Sequence, residues 1–296
     1  MRGDAEAATL LRPRTPREAL RLLAEHEDAL PIAGGTDLMV SWNAGALAGR
    51  TFLDVSPLRE WARIRTTKDA ALVGALATHT ELLRHALVRR RLPLLAEACA
   101  TVGGVQIQNR GTLGGNIANA SPAGDTFPPL AVYEAVVLAV SLRGRREIAF
   151  QDVFAGPKRT SLAPGELIEA VRIPLPRRPP TRQLFRKVGT RAAQAISKTV
   201  ASGLLWLKRD GTVEELRFAL GSMAPTVRRL RHAEAFVRGQ RLTPAVVREA
   251  LALVSKDVSP IDDVRSTAVY RLAVSRNLLL QLLEGVKSRT RLRFET

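Results

Sequence analysis

Short apolar runs and helical stripes succeed one another along this chain. Residues 8–11 read as a brief strand. Pro16 opens a helix predicted to reach Glu27, with Ala19, Leu20, Leu22 and Leu23 on one face. Residues 30–33 form a second apolar run that ends on Gly34-Gly35, and Leu38, Met39 and Val40 follow. Residues 51–55 make a third run, stopped by Ser56-Pro57. Strand, helix, strand and glycine pair outline a small α/β unit.

A second segment begins near residue 63. Residues 63–65 and 71–74 are strand candidates, a short helix starts at Thr80, and residues 93–100 read as helix. The polar, glycine-dense stretch 103–124 reads as loop. Residues 131–140 are apolar and β-branched before the turn Arg143-Gly144, which predicts a strand and hairpin. Residues 171–174 close the segment on PLPRRPP at 174–180, and that many prolines exclude both a helix and a central strand. The domain boundary is therefore placed here. Residues 1–176 form one domain, with subdomains of about 1–58 and 59–176, and residues 181–292 form another. In the second, runs at 199–207 and 213–220 flank Asp210-Gly211 as a hairpin. Helical patterns follow at 233–238, 244–254 and 267–283, so a small antiparallel sheet precedes a helical cluster.

Composition narrows the chemistry. At 296 residues and 46% hydrophobic content, the chain can bury a large core without disulfides or metals. The single cysteine, Cys99, excludes an internal disulfide, a Cys-ligated iron–sulfur cluster and a multi-Cys zinc site. It follows Ala98 after an apolar run and reads as a buried small hydrophobe. His26, His79, His85 and His232 are scattered, with no metal-ligand spacing and no nucleophile to serve. A formal charge of +17 attracts anions of many kinds. The basic runs carry no interleaved aromatics and no nucleic-acid-binding motif, so nucleic acid is not the expected partner. No apolar stretch matches a membrane span or an N-terminal leader, which predicts a cytoplasmic protein.

Two glycine-rich loops hold the candidate chemistry: AGGTD at 33–37 and RGTLGGNIANASPAGD at 110–125. Glycine lets backbone N–H groups approach a phosphate, and Thr36 and Thr112 add hydroxyl donors. Asp37 and Asp125 suit ribose or ring donors better than phosphates. Each glycine pair alone could mark a tight turn; two such loops suit the two phosphates of a dinucleotide. Neither GxGxxG nor GxxxxGK[ST] occurs, so the site is not a Rossmann or P-loop site. With no nucleophile–base pair in the sequence, the chemistry must come from a cofactor.

PIAGGTDL at 31–38, QNRGTLGGNIANASPAGDTFPPL at 108–130, LAPGELIEAVRIP at 162–174, FRKVGTRAAQAISK at 185–198 and DDVRSTAVYR at 262–271 together resemble the FAD-binding medium subunit of the molybdenum hydroxylases, the family of xanthine and carbon monoxide dehydrogenase flavoproteins. The likeness spans almost the whole chain and is greatest to the separate bacterial subunits of xanthine- or purine-type dehydrogenases. It implies an α+β fold: a two-part FAD-binding domain of the vanillyl-alcohol-oxidase (PCMH) type, then a C-terminal domain with a three-stranded antiparallel sheet and helix cluster. It implies FAD contacts from Ile32, Ala33, Gly34, Gly35, Thr36, Asp37 and Leu38 in the first loop. Thr112, Gly114, Gly115, Asn116 and Asp125 serve the second loop, with Val102, Gly103 and Ile168 nearby and either Arg186 or Lys187 beside the ring system. Val102 stands where some relatives carry an aromatic side chain. No insertion here could hold the extra four-iron cluster of some relatives.

The resemblance further implies non-covalent FAD, since neither loop contains His or Cys. It implies a large molybdopterin-binding partner and a small partner with 2Fe–2S clusters. Electrons would pass from those clusters to FAD and on to NAD or another acceptor. A stand-alone flavin oxidoreductase and a basic nucleic-acid-associated protein are the alternative readings.

Overall fold

The computed structural model describes residues 6–285; the last part of the expected C-terminal domain, up to residue 292, lies outside them. The chain opens with β1 (Thr9–Leu11), α1 (Pro16–Glu25), β2 (Leu30–Ile32), α2 (Leu38–Asn43) and β3 (Thr51–Asp54). β3 lies between β1 and β2 in a parallel sheet. The Thr15 hydroxyl accepts the Glu18 N–H, and Pro16 takes a first-turn position where no N–H is needed. α1 buries Ala19, Leu20 and Leu23 in a small core with Leu53 and Trp61. It stops two residues before the expected end because the His26 backbone leaves the helical region.

The second part contains β4 (Ile64–Thr66), β5 (Ala70–Gly74), α3 (His79–Arg84), α4 (Ala86–Arg91), α5 (Pro93–Cys99), α6 (Val105–Arg110), α7 (Leu113–Ala118), α8 (Phe127–Val132), β6 (Val136–Ser141), β7 (Gly144–Ala149), β8 (Phe154–Gly156), β9 (Arg159–Thr160) and β10 (Leu167–Pro174). Five strands pair antiparallel in the order β4-β5-β10-β6-β7. The stretch expected to be loop-rich, 103–124, instead forms α6 and α7. The Thr112 hydroxyl caps α7 by accepting the Gly115 N–H at 3.0 Å, which offsets the poor helix propensity of its glycines. The strand expected over 131–140 begins only at Val136. Residues 131 and 132 end α8, which Pro128 and Pro129 start, and Glu134 turns the chain at a positive φ of 55°.

The C-terminal domain comprises β11 (Arg182–Val188), β12 (Thr199–Leu207), β13 (Val213–Gly221), β14 (Arg228–Arg229), α9 (Arg231–Val237), α10 (Pro244–Asp257) and α11 (Ala268–Glu284). Three long antiparallel strands, with two-residue β14 at the edge, match the expected sheet. α11 packs on β12, while α8 of the first domain packs on β12, β13 and β14. β12 is consequently buried over all but its last residue. One apolar core runs through both domains, joining Leu95 and Phe127 to Phe185, Val200 and Trp206. That shared core holds the facing surfaces of the two domains in register.

Candidate functional site

The two glycine loops meet in space. A Cβ on Gly34 would lie 1.9 Å from the Arg110 carbonyl oxygen, so only glycine permits this approach. The Thr36 hydroxyl lies beside Gly111, and the His79 N–H donates to the Gly111 carbonyl at 3.1 Å. Gly35 has φ +74°, a left-handed backbone that glycine adopts without strain. Gly114 packs on Ala75, where a Cβ would come within 2.6 Å of the Ala75 Cβ. Gly115 is exposed on α7, and an added Cβ would meet only the Thr112 hydroxyl within 4 Å.

Beside the joined loops, a cleft of about 1370 Å³ runs between the two domains, beyond the ordinary ligand-pocket range of about 300–1,000 Å³. The first domain lines it with Asp37, Gly103, Asn119, Asp125 and Lys158, and the C-terminal domain with Lys187, Ile196, Ser222, Ile261 and Arg265. Of the residues expected from the sequence, Asp37, Gly103, Asp125 and Lys187 line the cleft. Ile32, Ala33, Leu38, Val102 and Asn116 are half-buried in the flanking segments. Asn116 accepts a hydrogen bond from the buried Thr126 hydroxyl at 2.6 Å. Thr112 is buried at the α7 cap, and Ile168 is buried in the first domain's core beside Ala139 of β6.

Strand parity separates Arg186 from Lys187, because neighbours on a strand face opposite ways. Lys187 points into the cleft. Its Nζ donates to the Asp125 carboxylate at 2.6 Å and to the Thr101 carbonyl at 2.8 Å. Arg186 acts instead on Glu97 of α5, whose carboxyl burial raises and the Arg186 charge lowers. Asp125 is 7% exposed, and burial pushes its carboxyl up to about 6 against the opposing pull of Lys187. Its second oxygen, Oδ1, is buried with no hydrogen-bond partner. A buried acceptor without a donor is costly, so this atom is poised for a ligand's O–H or N–H.

Three cleft groups escaped the sequence reading. Lys158, in the turn between β8 and β9, donates to Asn119 Oδ1 at 2.6 Å and lies 3.4 Å from Asp37. Asn119 Nδ2 donates to Asp37 at 3.0 Å, which ties both glycine-loop segments to that turn. Arg271, nearly fully buried, donates to Asp263 at 2.7 Å and to the Ser222 carbonyl at 3.2 Å, fixing the far wall. Asn119 and Arg271 stand inside recognisable motifs; Lys158 had only the Gly156-Pro157 turn beside it.

His79 is 2% exposed with an unpartnered Nδ1, and burial lowers its pKa to about 4. It is neutral at pH 7 and packs under the second loop. Cys99 is fully buried and its thiol is pushed far up by desolvation, in keeping with a packing role. Among the described residues no group of three or more His, Cys, Asp or Glu could hold a metal ion. Among them, too, no helix is long and apolar enough to cross a membrane.

The fold and the cleft define a two-domain α+β flavoprotein. Residues 6–176 match the family described as FAD binding domain in molybdopterin dehydrogenase, and residues 184–286 match the CO dehydrogenase flavoprotein C-terminal domain. The chain belongs to this family of FAD-binding medium subunits. It is 30% identical over 286 residues to the nicotinate dehydrogenase FAD-subunit of Eubacterium barkeri, covering 93% of this chain and 96% of that one. It is 29% identical over 277 residues to the xanthine dehydrogenase FAD-binding subunit of Escherichia coli O157:H7, covering 93% and 94%. Among solved structures, a carbon monoxide dehydrogenase chain from Hydrogenophaga pseudoflava superposes with a TM-score of 0.88 at 27% identity, covering 96% of each chain. The residues present fit FAD: the glycine backbone of Gly103 and Gly104 in the cleft wall, a buried acceptor awaiting a donor, and a cation beside it.

Proposed function

We propose that this chain is the electron-transfer flavoprotein subunit of a molybdenum-dependent hydroxylase. The observation that carries this reading is the interdomain cleft, where Asp37 and Asn119 of the two glycine-loop segments line the same space as Lys187 and the unpartnered Asp125 Oδ1. The first loop, 33–37, would bind the pyrophosphate through backbone N–H groups, with the Thr36 hydroxyl as a further donor. The N–H groups of 113–116 are engaged within the fold, so the second loop would contribute by holding the first in place and through its side chains. Asp125 Oδ1 would accept from a hydroxyl or ring N–H. Lys187, held by Asp125 and the Thr101 carbonyl, would supply fixed positive charge near the ring. Bound FAD supplies reversible electron uptake; the protein's part is to hold and orient it and to set its electrostatic surroundings.

A large molybdopterin subunit and a small subunit with 2Fe–2S clusters would complete the assembly, with NAD or another acceptor taking the electrons. Support comes from the medium-subunit family and from the lack of any metal-ligand cluster among the described residues. Relatives at 29–30% identity belong to enzymes named for xanthine, nicotinate and glyceraldehyde. The organic substrate is accordingly assigned to the large partner.

The test starts from purified protein. Oxidised-flavin absorption bands are expected, with all the flavin released by acid as FAD. Mixing with candidate molybdenum and iron–sulfur chains should then permit substrate-driven flavin bleaching that the isolated chain does not show. Colour retained in the acid precipitate would overturn non-covalent binding. Equal bleaching by the isolated chain would make this a stand-alone enzyme.

A further inference from the structure

A second concavity, of about 400 Å³, lies on the C-terminal domain with Gln151 of the first domain at its edge, and Ser259 borders both it and the cleft. Its lining is rich in cations: Arg228 on β14, Arg231 at the start of α9 and Lys256 in the last turn of α10. Arg229, also in its wall, is neutralised by Glu234, whose two oxygens lie 2.5 and 2.8 Å from the guanidinium. Glu234 is thereby committed, and Arg231 reaches it only at 3.5 Å. Asp257, the pocket's own carboxylate, is turned to His232, accepting from the backbone N–H at 3.1 Å and facing Nδ1 at 2.8 Å. The side chains of Arg228 and Lys256 are exposed and have no hydrogen bond or ion pair.

Arg228 and Lys256, with Arg231 held only at the edge of Glu234, form a local excess of positive charge around the hollow. Arginine forks and an ammonium together match the oxygens of a phosphoryl group. The exposed side chains of Gln151 and Ser259 add neutral donors at the wall. The hollow falls within the ordinary size range of a small-molecule pocket, about 300–1,000 Å³.

We propose that the hollow bounded by Arg228, Arg231 and Lys256 is an anion site for the phosphoryl groups of a soluble organic phosphate. It is distinct from the interdomain cleft and independent of the reading of that cleft. Because Ser259 lines both concavities, an occupant here would sit against the part of the cleft wall that Ser259 and Pro260 form.

The test is calorimetric titration of inorganic pyrophosphate into the purified chain at low salt, with FAD in excess so that the cleft does not compete. One saturable site is expected. Arg228→Ser/Lys256→Ser should weaken it at least about tenfold, the scale set by losing charge-assisted hydrogen bonds. Arg89→Ser/Arg90→Ser removes the same formal charge from α4 and should leave it within about twofold. Lys256→Gln alone, an exposed change, should weaken binding with thermal stability close to wild type. No saturable site, or equal losses in both double variants, would overturn the proposal and leave only a diffuse basic field. Binding of an acidic peptide but not of pyrophosphate would overturn it in favour of a protein contact.

Discussion

Lys187 Nζ sits 2.6 Å from Asp125 Oδ2 across the domain interface, and the two side chains are only 11% and 8% exposed. The pair joins β11 to the end of the second glycine loop. Even with the cation in place, desolvation dominates and holds the Asp125 carboxyl near 6. The attraction thus offsets only part of the cost of burial in this pair, and removing one member strands the other.

Lys187→Met should therefore destabilise the protein by about 3–5 kcal/mol at pH 7. The stranded carboxyl has a folded pKa raised above its unfolded value. Without Lys187 that folded value rises further than in the wild type, so the penalty is full only above it and fades as pH falls toward the ordinary carboxylate range, as the folded state takes up a proton first. Melting curves from pH 7.5 to 4.5 should show the variant converging on wild type in acid. Adding Asp125→Asn should restore most of the loss at pH 7, because the two changes are coupled. A pH-independent deficit would rule out this account.

Gly34 and Arg110 make the contact that joins the glycine loops. In Gly34→Ala the new Cβ would stand 1.9 Å from a backbone oxygen, so one loop must move. FAD retention is expected to fall at least about tenfold, equivalent to 1.4 kcal/mol, read by fluorescence titration of the apo protein. Gly35→Val should act similarly through its positive φ. Gly115→Val meets a single hydroxyl, the Thr112 cap, and should cost about 1 kcal/mol of helix stability in addition to its effect on FAD. Wild-type affinity in Gly34→Ala would remove the loops from the binding account.

Arg229 and Arg217 close the C-terminal end of α8 from the other domain. Arg229 donates to the Ala131 carbonyl at 3.2 Å and Arg217 to the Val132 carbonyl at 3.3 Å, where cations suit both the free carbonyls and the helix dipole. Arg229→Met takes from the buried Glu234 the guanidinium that meets both its oxygens, leaving it the Phe218 N–H at 2.8 Å and Arg231 at 3.5 Å, and frees one carbonyl. A loss of about 3–5 kcal/mol is expected, measured by urea denaturation. Arg217 is more exposed and shares its charge with Glu134 and Glu215, so Arg217→Met should cost less.

Elements whose signals are local were legible in the sequence. Pro16 with the stripe Ala19, Leu20, Leu22 and Leu23 announced α1, and Asp210-Gly211 between two apolar runs announced the β12–β13 hairpin. α6 and α7 were not legible, because glycine-rich composition reads as loop and the Thr112 cap becomes visible only when its hydroxyl finds the Gly115 N–H. Alternation along β11 shows that Arg186 and Lys187 face opposite ways. The pairing of Lys187 with Val200 on β12 decides which one meets Asp125, and that register is long-range. Lys158 reaches Asp37 across 121 residues of chain, which no window of sequence contains.

His79 should set part of the acid limit of the fold. Burial lowers its folded pKa from 6.5 to about 4, so between those values the unfolded chain binds the extra proton. Stability then rises with pH through this window and is lost as pH falls from about 6.5 toward 4, by an amount on the order of 3 kcal/mol. Asp125 acts in the opposite sense between about 4 and 6, because its folded state is the one that holds the proton there. The observed acid slope is the difference between the two, and single variants separate them. His79→Leu should flatten the fall in melting temperature between pH 6.5 and 4.5, while Asp125→Asn should steepen it. FAD affinity at pH 7.5 offers a separate check on His79, since the ring packs under Gly111 rather than in the cleft. His79→Leu should leave that affinity within a few-fold of wild type. A melting profile that keeps its full acid slope in His79→Leu would move the titrating group elsewhere in the molecule.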